Sequence, residues 1–178
     1  MRKSKVFDEL LIIKCNDGDQ KAFELLVKRW NKKLLAFTYR YVKDFDVAKD
    51  IVQESWVSIF KGLSNLKEPS KFHSWAFRIT YNKIVDQFKK SQKDHDIRAS
   101  EEIQPPNEES EQPDVRIYLN KLPPEQKTVL TLFYLEELSI LDISNVLDIP
   151  TGTVKSRIFY AREKLKEIIN KKSYENHG

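Results

Sequence analysis

Residues 139–165, SILDISNVLDIPTGTVKSRIFYAREKL, decide how the chain is read, because they spell two helices around a tight turn. Ser139 is a favoured N-cap residue, with Asp142 three positions on in the capping-box place, where Glu or Gln is the stronger partner. Ile140, Ile143 and Leu147 then recur at helical spacing. Asp148-Ile149-Pro150 stops that run, since proline lacks an amide N–H and disfavours helix in the residue before it. Thr151 is expected to cap a second helix, in which Val154, Ile158, Ala161, Leu165, Ile168 and Ile169 make one apolar stripe. Off that stripe lie Lys155, Ser156, Arg157, Phe159, Tyr160 and Arg162. An apolar back with a front of cations, a hydroxyl and aromatics is what a recognition helix in the DNA major groove needs. The same pattern also fits a helical hairpin whose basic face is merely solvated.

A chain of 178 residues holds one medium domain or two small ones. Four glycines stand against 20 Phe, Tyr and Trp, which argues for helices with aromatic-rich cores. No run of apolar residues is long enough to span a bilayer, and the opening MRKSKVFDELLIIK lacks a signal-peptide core and cleavage site. Cys15 is the single cysteine, so no internal disulfide forms and a reducing compartment, the cytoplasm, is the simple expectation. His73, His95 and His177 are scattered, and none pairs with a cysteine at metal-ligand spacing. Neither metal nor cofactor is expected. Without a phosphate-binding glycine loop or a nucleophile–base set, an enzyme is the weakest class.

The formal net charge of +4 hides a sharp asymmetry. Residues 1–93 carry 20 Lys/Arg against 11 Asp/Glu, residues 94–114 carry one against eight, and residues 115–178 carry 10 against eight. Two basic blocks flanking an acidic one suggest a polyanionic partner.

Along the chain, a short helix is expected around Phe7–Ile13, interrupted by Gly18, with Asp19 as the next N-cap. Phe23, Leu26, Trp30, Leu34, Phe37 and Tyr41 form the apolar side of a long helix whose other face carries Lys28, Arg29, Lys32, Lys33 and Arg40. Asp44-Phe45-Asp46 makes a turn and a cap for a third helix, with Val47, Ile51, Val52, Ile59, Phe60 and Leu63 toward the core. On that helix Asp50 and Glu54, spaced i, i+4, share a side with Gln53 nearby. This reads equally as a solvated face or as a polar edge for a protein partner. Residues 62–71 break the pattern, and the following helix places Phe72, Trp75, Ala76, Ile79 and Phe88 on or near the core. Its Lys83, Lys89, Lys90 and Lys93, interleaved with Tyr81, Asn82 and Gln87, suit single-stranded nucleic acid, though aromatics at helical spacing are more often core. Residues 94–114, with three prolines and no aromatics, read as a disordered or extended linker. Pro123 and Pro124 start a further helix carrying Val129, Leu130, Leu132, Phe133 and Leu135, packed under the two-helix motif.

In this combination the chain resembles bacterial sigma factors of the extracytoplasmic-function (ECF, group 4) type. Four stretches carry the likeness in the family's order: GDQKAFELLVKRW (18–30), DVAKDIVQESWVSIFKGL (46–63), KFHSWAFRITYNKIVD (71–86), and LPPEQKTVLTLFYLEELS with GTVKSRIFYAREKL (122–165). The resemblance implies an all-α fold of two small domains, a region 2 bundle over 1–93 and a region 4 helix-turn-helix over 116–172. An acidic linker over 94–115 joins them, and 173–178 form a tail. It implies binding to core RNA polymerase, at the β′ coiled coil and β subunits, and to promoter DNA, with an anti-sigma protein as a further partner and no membrane insertion. Asp50, Gln53 and Glu54 match the D-x-x-Q-E stretch that docks on the β′ coiled coil. Gly62, Leu66, Trp75, Asn82 and Lys83 fall where the family handles the −10 element, with 62–71 and Asn82 resembling the pocket for a flipped base. Thr153, Lys155, Ser156, Phe159 and Tyr160 fall on the −35 reader, with Arg157 and Arg162 as phosphate contacts or structural ion pairs. Two positions depart from the pattern: Tyr160 stands where many relatives have arginine, and Leu141-Asp142 replaces a more polar pair. A stand-alone helix-turn-helix repressor would explain residues 122–172 but leaves 18–90 without a purpose.

Overall fold

The computed structural model describes residues 2–94 and 118–175, with side chains over 5–91 and 118–170. Its described elements are helices and turns, and the chain divides into two compact units, Met1–Gln104 and Pro105–Gly178. The linker expected over 94–115 lies outside the described residues except for Asp94, and so does the tail beyond Glu175.

The first unit is a bundle of α1 (Arg2–Asn16), α2 (Gln20–Val42), α3 (Phe45–Gly62) and α4 (Phe72–Asp94), with single 3-10 turns at Leu63–Asn65 and Pro69–Lys71. Its caps are local chemistry. Asp19 Oδ1 accepts the Ala22 N–H at 3.1 Å, and Asp44 Oδ1 accepts those of Asp46 and Val47 at 2.9 and 3.0 Å. Between α1 and α2, Gly18 sits at φ +89°, a conformation that costs glycine nothing.

Three helices supply the centre. Leu26, Trp30, Leu34 and Phe37 of α2 are buried with Ile51, Val52 and Ile59 of α3 and Phe72, Ala76, Phe77 and Ile84 of α4. The aromatic rings meet edge to face, Trp30 on Phe72 at 5.2 Å and Phe37 on Phe77 at 4.9 Å between centroids, the geometry their quadrupoles favour. Thr38, Ser55 and Thr80 are buried too, each hydroxyl donating to the carbonyl four residues back (2.7–3.0 Å). Asp8 of α1 is buried and paired with Arg29 Nε of α2 at 2.7 Å, while the guanidinium lies 4.9 Å from the Phe7 ring.

Several side chains depart from the sequence expectation. Arg29 is not part of a solvated basic face but fastens α1 to α2. Phe60 is 65% exposed, because nine residues from Ile51 is two and a half turns and points it away from the core. Its place is taken by Trp56, buried with its indole N–H donating to Asn31 Oδ1 at 3.1 Å. Trp75 and Ile79 are half-buried, and Phe77 occupies the centre instead. Phe88 is 43% exposed: it lies one turn past Ile84, level with the start of α3, where Val47 lines the same groove as Gln87 and Lys90.

In the second unit a turn at 118–122 leads into α5 (Pro124–Leu130), which continues as a π-helical turn over Thr131–Leu135 and is followed by α6 (Ile140–Leu147) and α7 (Thr151–Glu175). Thr128 through Leu132 are all buried, a run of five that cannot share one face of an α-helix, so this segment is enclosed on every side. The wider turn, with the Glu136 N–H reaching the Thr131 carbonyl at 3.1 Å, then turns Leu135 outward and leaves Phe133 half-buried, where a regular helix was expected.

Around the helix-turn-helix the sequence reading holds closely. Ser139 Oγ accepts the Asp142 N–H at 3.1 Å and donates to Asp142 Oδ2 at 2.6 Å. Asp148 ends α6 in the left-handed region (φ +54°), the Asp148 and Ile149 N–H groups both return to the Ser144 carbonyl, and Ser144 O–H donates to the Ile149 carbonyl at 2.5 Å. Thr151 is the first residue of α7 rather than its cap: the Val154 N–H bonds to the Pro150 carbonyl at 3.1 Å, which places Pro150 at the capping position. Ile143 and Val146 carry the buried side of α6, with Ile140 and Leu147 half-buried. Along α7, Val154, Ile158 and Ala161 are buried, Leu165 and Ile168 half-buried, and Ile169 is exposed.

The contrast between two phenylalanines of α4 is a direct check on this packing. Phe77→Ala is expected to cost about 3–5 kcal/mol in urea unfolding, and Phe88→Ala under about 1 kcal/mol, since only the first leaves a cavity.

Candidate nucleic-acid interface

Burial of Val154, Ile158 and Ala161 against α5 and α6 turns the other side of α7 to solvent. Lys155, Ser156, Phe159 and Tyr160 are exposed and Thr153 is half-buried, with the Ser156 hydroxyl donating to the Thr153 carbonyl at 3.0 Å. Phe159 and Tyr160 lie edge to face at 5.5 Å, both about 60% exposed (59% and 61%), an apolar area that water alone gives no reason to keep. The two arginines of the expected set are engaged within the unit. Arg157 Nη2 pairs with Glu125 Oε2 of α5 at 2.7 Å, and the Arg162 guanidinium lies 5.3 Å from the Tyr134 ring and 6.0 Å from that of Phe133.

In the first unit Asp50, Gln53 and Glu54 are all exposed on α3, within about 100° of arc. The same face continues through Val57 and Phe60, four and seven residues beyond Gln53, both exposed and with the Phe60 ring 5.0 Å from that of Phe23. The sequence places Val57 beside this set, but Phe60 was expected in the core; its i+7 spacing from Gln53 was the available signal.

The −10 set is spread out more than the resemblance implied. Gly62 and Trp75 are in contact, since a Cβ on Gly62 would lie 3.0 Å from the Trp75 indole. Leu66 is half-buried in the connection that follows. Asn82, by contrast, lies ten residues into α4, about 15 Å along the axis from its start, and is exposed. Trp75 and Asn82 share one side of α4 with Arg78 between them and Lys89 beyond, a line the sequence reading saw only in part. Lys83 is turned about 100° from Asn82: its Nζ is 3.4 Å from Glu54 Oε2 of α3, across a groove of about 400 Å³ lined also by Asp50, Asp86 and Lys90, and by Lys89, which borders both this groove and the Asn82 line. One member of the expected −10 set therefore pairs with one member of the expected docking set.

The first unit is thus a helical bundle with an acidic, partly apolar edge, and the second a helix-turn-helix whose front carries Lys155 and two exposed aromatics. Known proteins share both units. Residues 26–94 match the sigma-70 region 2 family and residues 115–165 match sigma-70, region 4. The RNA polymerase sigma-H factor of Pseudomonas aeruginosa is 31% identical, with 91% of this chain and 93% of that protein covered. The ECF RNA polymerase sigma-E factor of Haemophilus influenzae is 33% identical over 91% of this chain and 95% of its own length, and that of Escherichia coli K12 is 35% identical over 88% and 91%. Among solved structures, the sigma factor RpoE bound to the anti-sigma factor NepR from Bartonella quintana superposes with a TM-score of 0.71 at 26% identity, covering 84% of this chain and 98% of that one. CnrH in complex with the cytosolic domain of CnrY, at 24% identity, a TM-score of 0.68 and coverage of 92% and 97%, shares the fold. The chain belongs to the ECF sigma factor family. It is a transcription initiation factor that directs RNA polymerase to promoters.

Cys15 lies in a recess with Phe23, Phe60 and Leu63. Burial, and then the charge of Asp19, push its thiol above the ordinary 9.0, against the pull of a backbone hydrogen bond. The thiolate fraction at neutral pH is correspondingly small. Iodoacetamide at pH 7 is expected to modify Cys15 more slowly in the folded chain than in urea, with the folded rate rising only at alkaline pH.

Proposed function

We propose that the two units divide promoter reading between them while the polymerase supplies all the chemistry, the chain itself being no enzyme. The observation that carries this reading is the rotation of α7, which buries Val154, Ile158 and Ala161 and presents Lys155, Ser156, Phe159 and Tyr160. In this reading α7 enters the major groove of the −35 duplex. Lys155 meets guanine acceptors or a phosphate, Ser156 and the Tyr160 hydroxyl make polar contacts, and Phe159 lies against a base edge. Thr153, in the first turn, approaches the backbone.

The first unit docks through Asp50, Gln53 and Glu54, extended by Val57 and Phe60, onto the coiled coil of the polymerase β′ subunit, with further contact to the β subunit. Acid at one end of the edge and an exposed aromatic at the other suit a helical partner with cationic and apolar residues. The line of Trp75, Arg78, Asn82 and Lys89 follows the −10 strand once it opens, with Gly62 and Leu66 at its head. Flipping a base costs a few kcal/mol, which contacts to the exposed strand offset without ATP hydrolysis. No helix among the described residues is long and apolar enough to cross a membrane, and the place of work in this reading is the cytoplasm. An anti-sigma protein belongs to the same reading, supported by the RpoE likeness.

Reconstitution with bacterial core polymerase tests the division. Wild-type chain is expected to co-purify with core enzyme and give run-off transcripts, whereas Asp50→Lys/Glu54→Lys abolishes capture without changing the thermal melt. Failure of the wild-type chain to bind core would remove the proposal. Within an active holoenzyme, Lys155→Ala or Phe159→Ala is expected to weaken −35 discrimination by about 1–3 kcal/mol for each base no longer read. Asn82→Ala leaves −35 binding intact but reduces permanganate reactivity of −10 thymines; undiminished reactivity would unseat Asn82.

A further inference from the structure

The two arginines of α7 do something that the front of the helix does not. Arg157 and Arg162 are five residues apart, about 140° around the helix, so they straddle the buried line of Val154, Ile158 and Ala161. Each is held from its own side. On one flank Arg157 Nη2 meets Glu125 Oε2, in the first turn of α5, at 2.7 Å, with the arginine side chain only 27% exposed. On the other, the Arg162 guanidinium lies 5.3 Å from the Tyr134 ring and 6.0 Å from the Phe133 ring. Those two rings lie edge to face at 5.0 Å, inside the π-helical turn that ends α5. Lys155, by comparison, has no ion pair among the described residues and stands free on the front.

We propose that Arg157 and Arg162 are positioning residues: they hold α7 from both sides against α5 and its π-helical turn, and so set the angle at which Lys155, Ser156, Phe159 and Tyr160 meet the duplex. The proposal rests on α7 being the −35 reader. A planar guanidinium suits both seats, since it can fork onto a carboxylate or stack on an aromatic face, and lysine can do neither as well. A guanidinium already committed to a carboxylate at 2.7 Å offers a phosphate little unneutralised charge. The seat also explains two features that the core does not need. Tyr134 is half-exposed because its ring is the floor for Arg162, and the π-helical turn widens α5 at the point where two successive aromatics must face the same cation.

Glu125 separates this assignment from phosphate binding by sign. If Arg157 gripped a phosphate, Glu125 would compete for it, and neutralising Glu125 would strengthen DNA binding. If Arg157 is a strut, neutralising Glu125 removes the same strut from the other end. The test uses the full chain in holoenzyme with core polymerase and a promoter duplex enriched by wild-type holoenzyme from a random pool. Glu125→Gln, Arg157→Gln and Arg157→Lys are each expected to weaken binding by about two- to fivefold. The double variant Glu125→Gln/Arg157→Gln should be no worse than either single one. Tyr134→Leu should lower affinity as Arg162→Gln does, and in every case the slope of log affinity against log salt stays at the wild-type value. The proposal is overturned if Glu125→Gln binds as tightly as wild type or tighter, or if Arg157→Gln lowers the salt slope by about one while Arg157→Lys retains affinity. Glu125 is exposed, so its variant should melt as wild type does, keeping the comparison free of folding. Wild-type holoenzyme that enriches no duplex would remove the −35 reading itself, and this proposal with it.

Discussion

A helix that buries one stripe has no choice about what the opposite side shows. In α7 that constraint is set by Val154, Ile158 and Ala161, held against α5 and α6. Burying three such side chains is worth several kcal/mol through water released from apolar surface, far more than any exposed ion pair on the same helix. The apolar contacts therefore fix the rotation of α7, and the polar ones adjust it. Once rotated, the helix must present Lys155, Ser156, Phe159 and Tyr160, and the exposed surface follows from the core.

The first unit obeys the same logic with aromatics in place of aliphatics. Trp30, Phe37, Phe72 and Phe77 lock α2 to α4 edge to face, and α3 closes against both. What α3 cannot bury, Asp50, Gln53, Glu54, Val57 and Phe60, becomes a single edge running from acidic to apolar. Because α3 packs beside α4, that edge borders α4, and the Glu54–Lys83 pair sits at the join. Residues separated in sequence by some thirty positions, Glu54 and Lys83, line one groove.

Much of this was legible in the residues. The caps at Asp19, Asp44 and Ser139, the stop at Asp148-Ile149-Pro150 and the buried line of α7 all depend on neighbours within four or five positions, and all were readable. Errors concentrated where a strongly apolar residue stood at an outward angle. Phe60 and Phe88 look like core by composition, yet one is rotated away by two and a half turns and the other lies past its partners. The π-helical turn at Thr131–Leu135 was invisible because no residue type encodes it; it follows directly on the enclosed run from Thr128.

By itself the sequence determined the helices and several of their caps, the helix-turn-helix and, through four stretches in register, the family, since these rest on local hydrogen bonding and on the 3.6-residue period. Only the tertiary structure decided which members of each stripe face inward, that Arg29, Arg157 and Arg162 are held within their units, and that Lys83 answers Glu54 across a groove. The reason is physical: a helical period tells which residues share a face, but the crossing of two helices decides which charge on that face finds a partner.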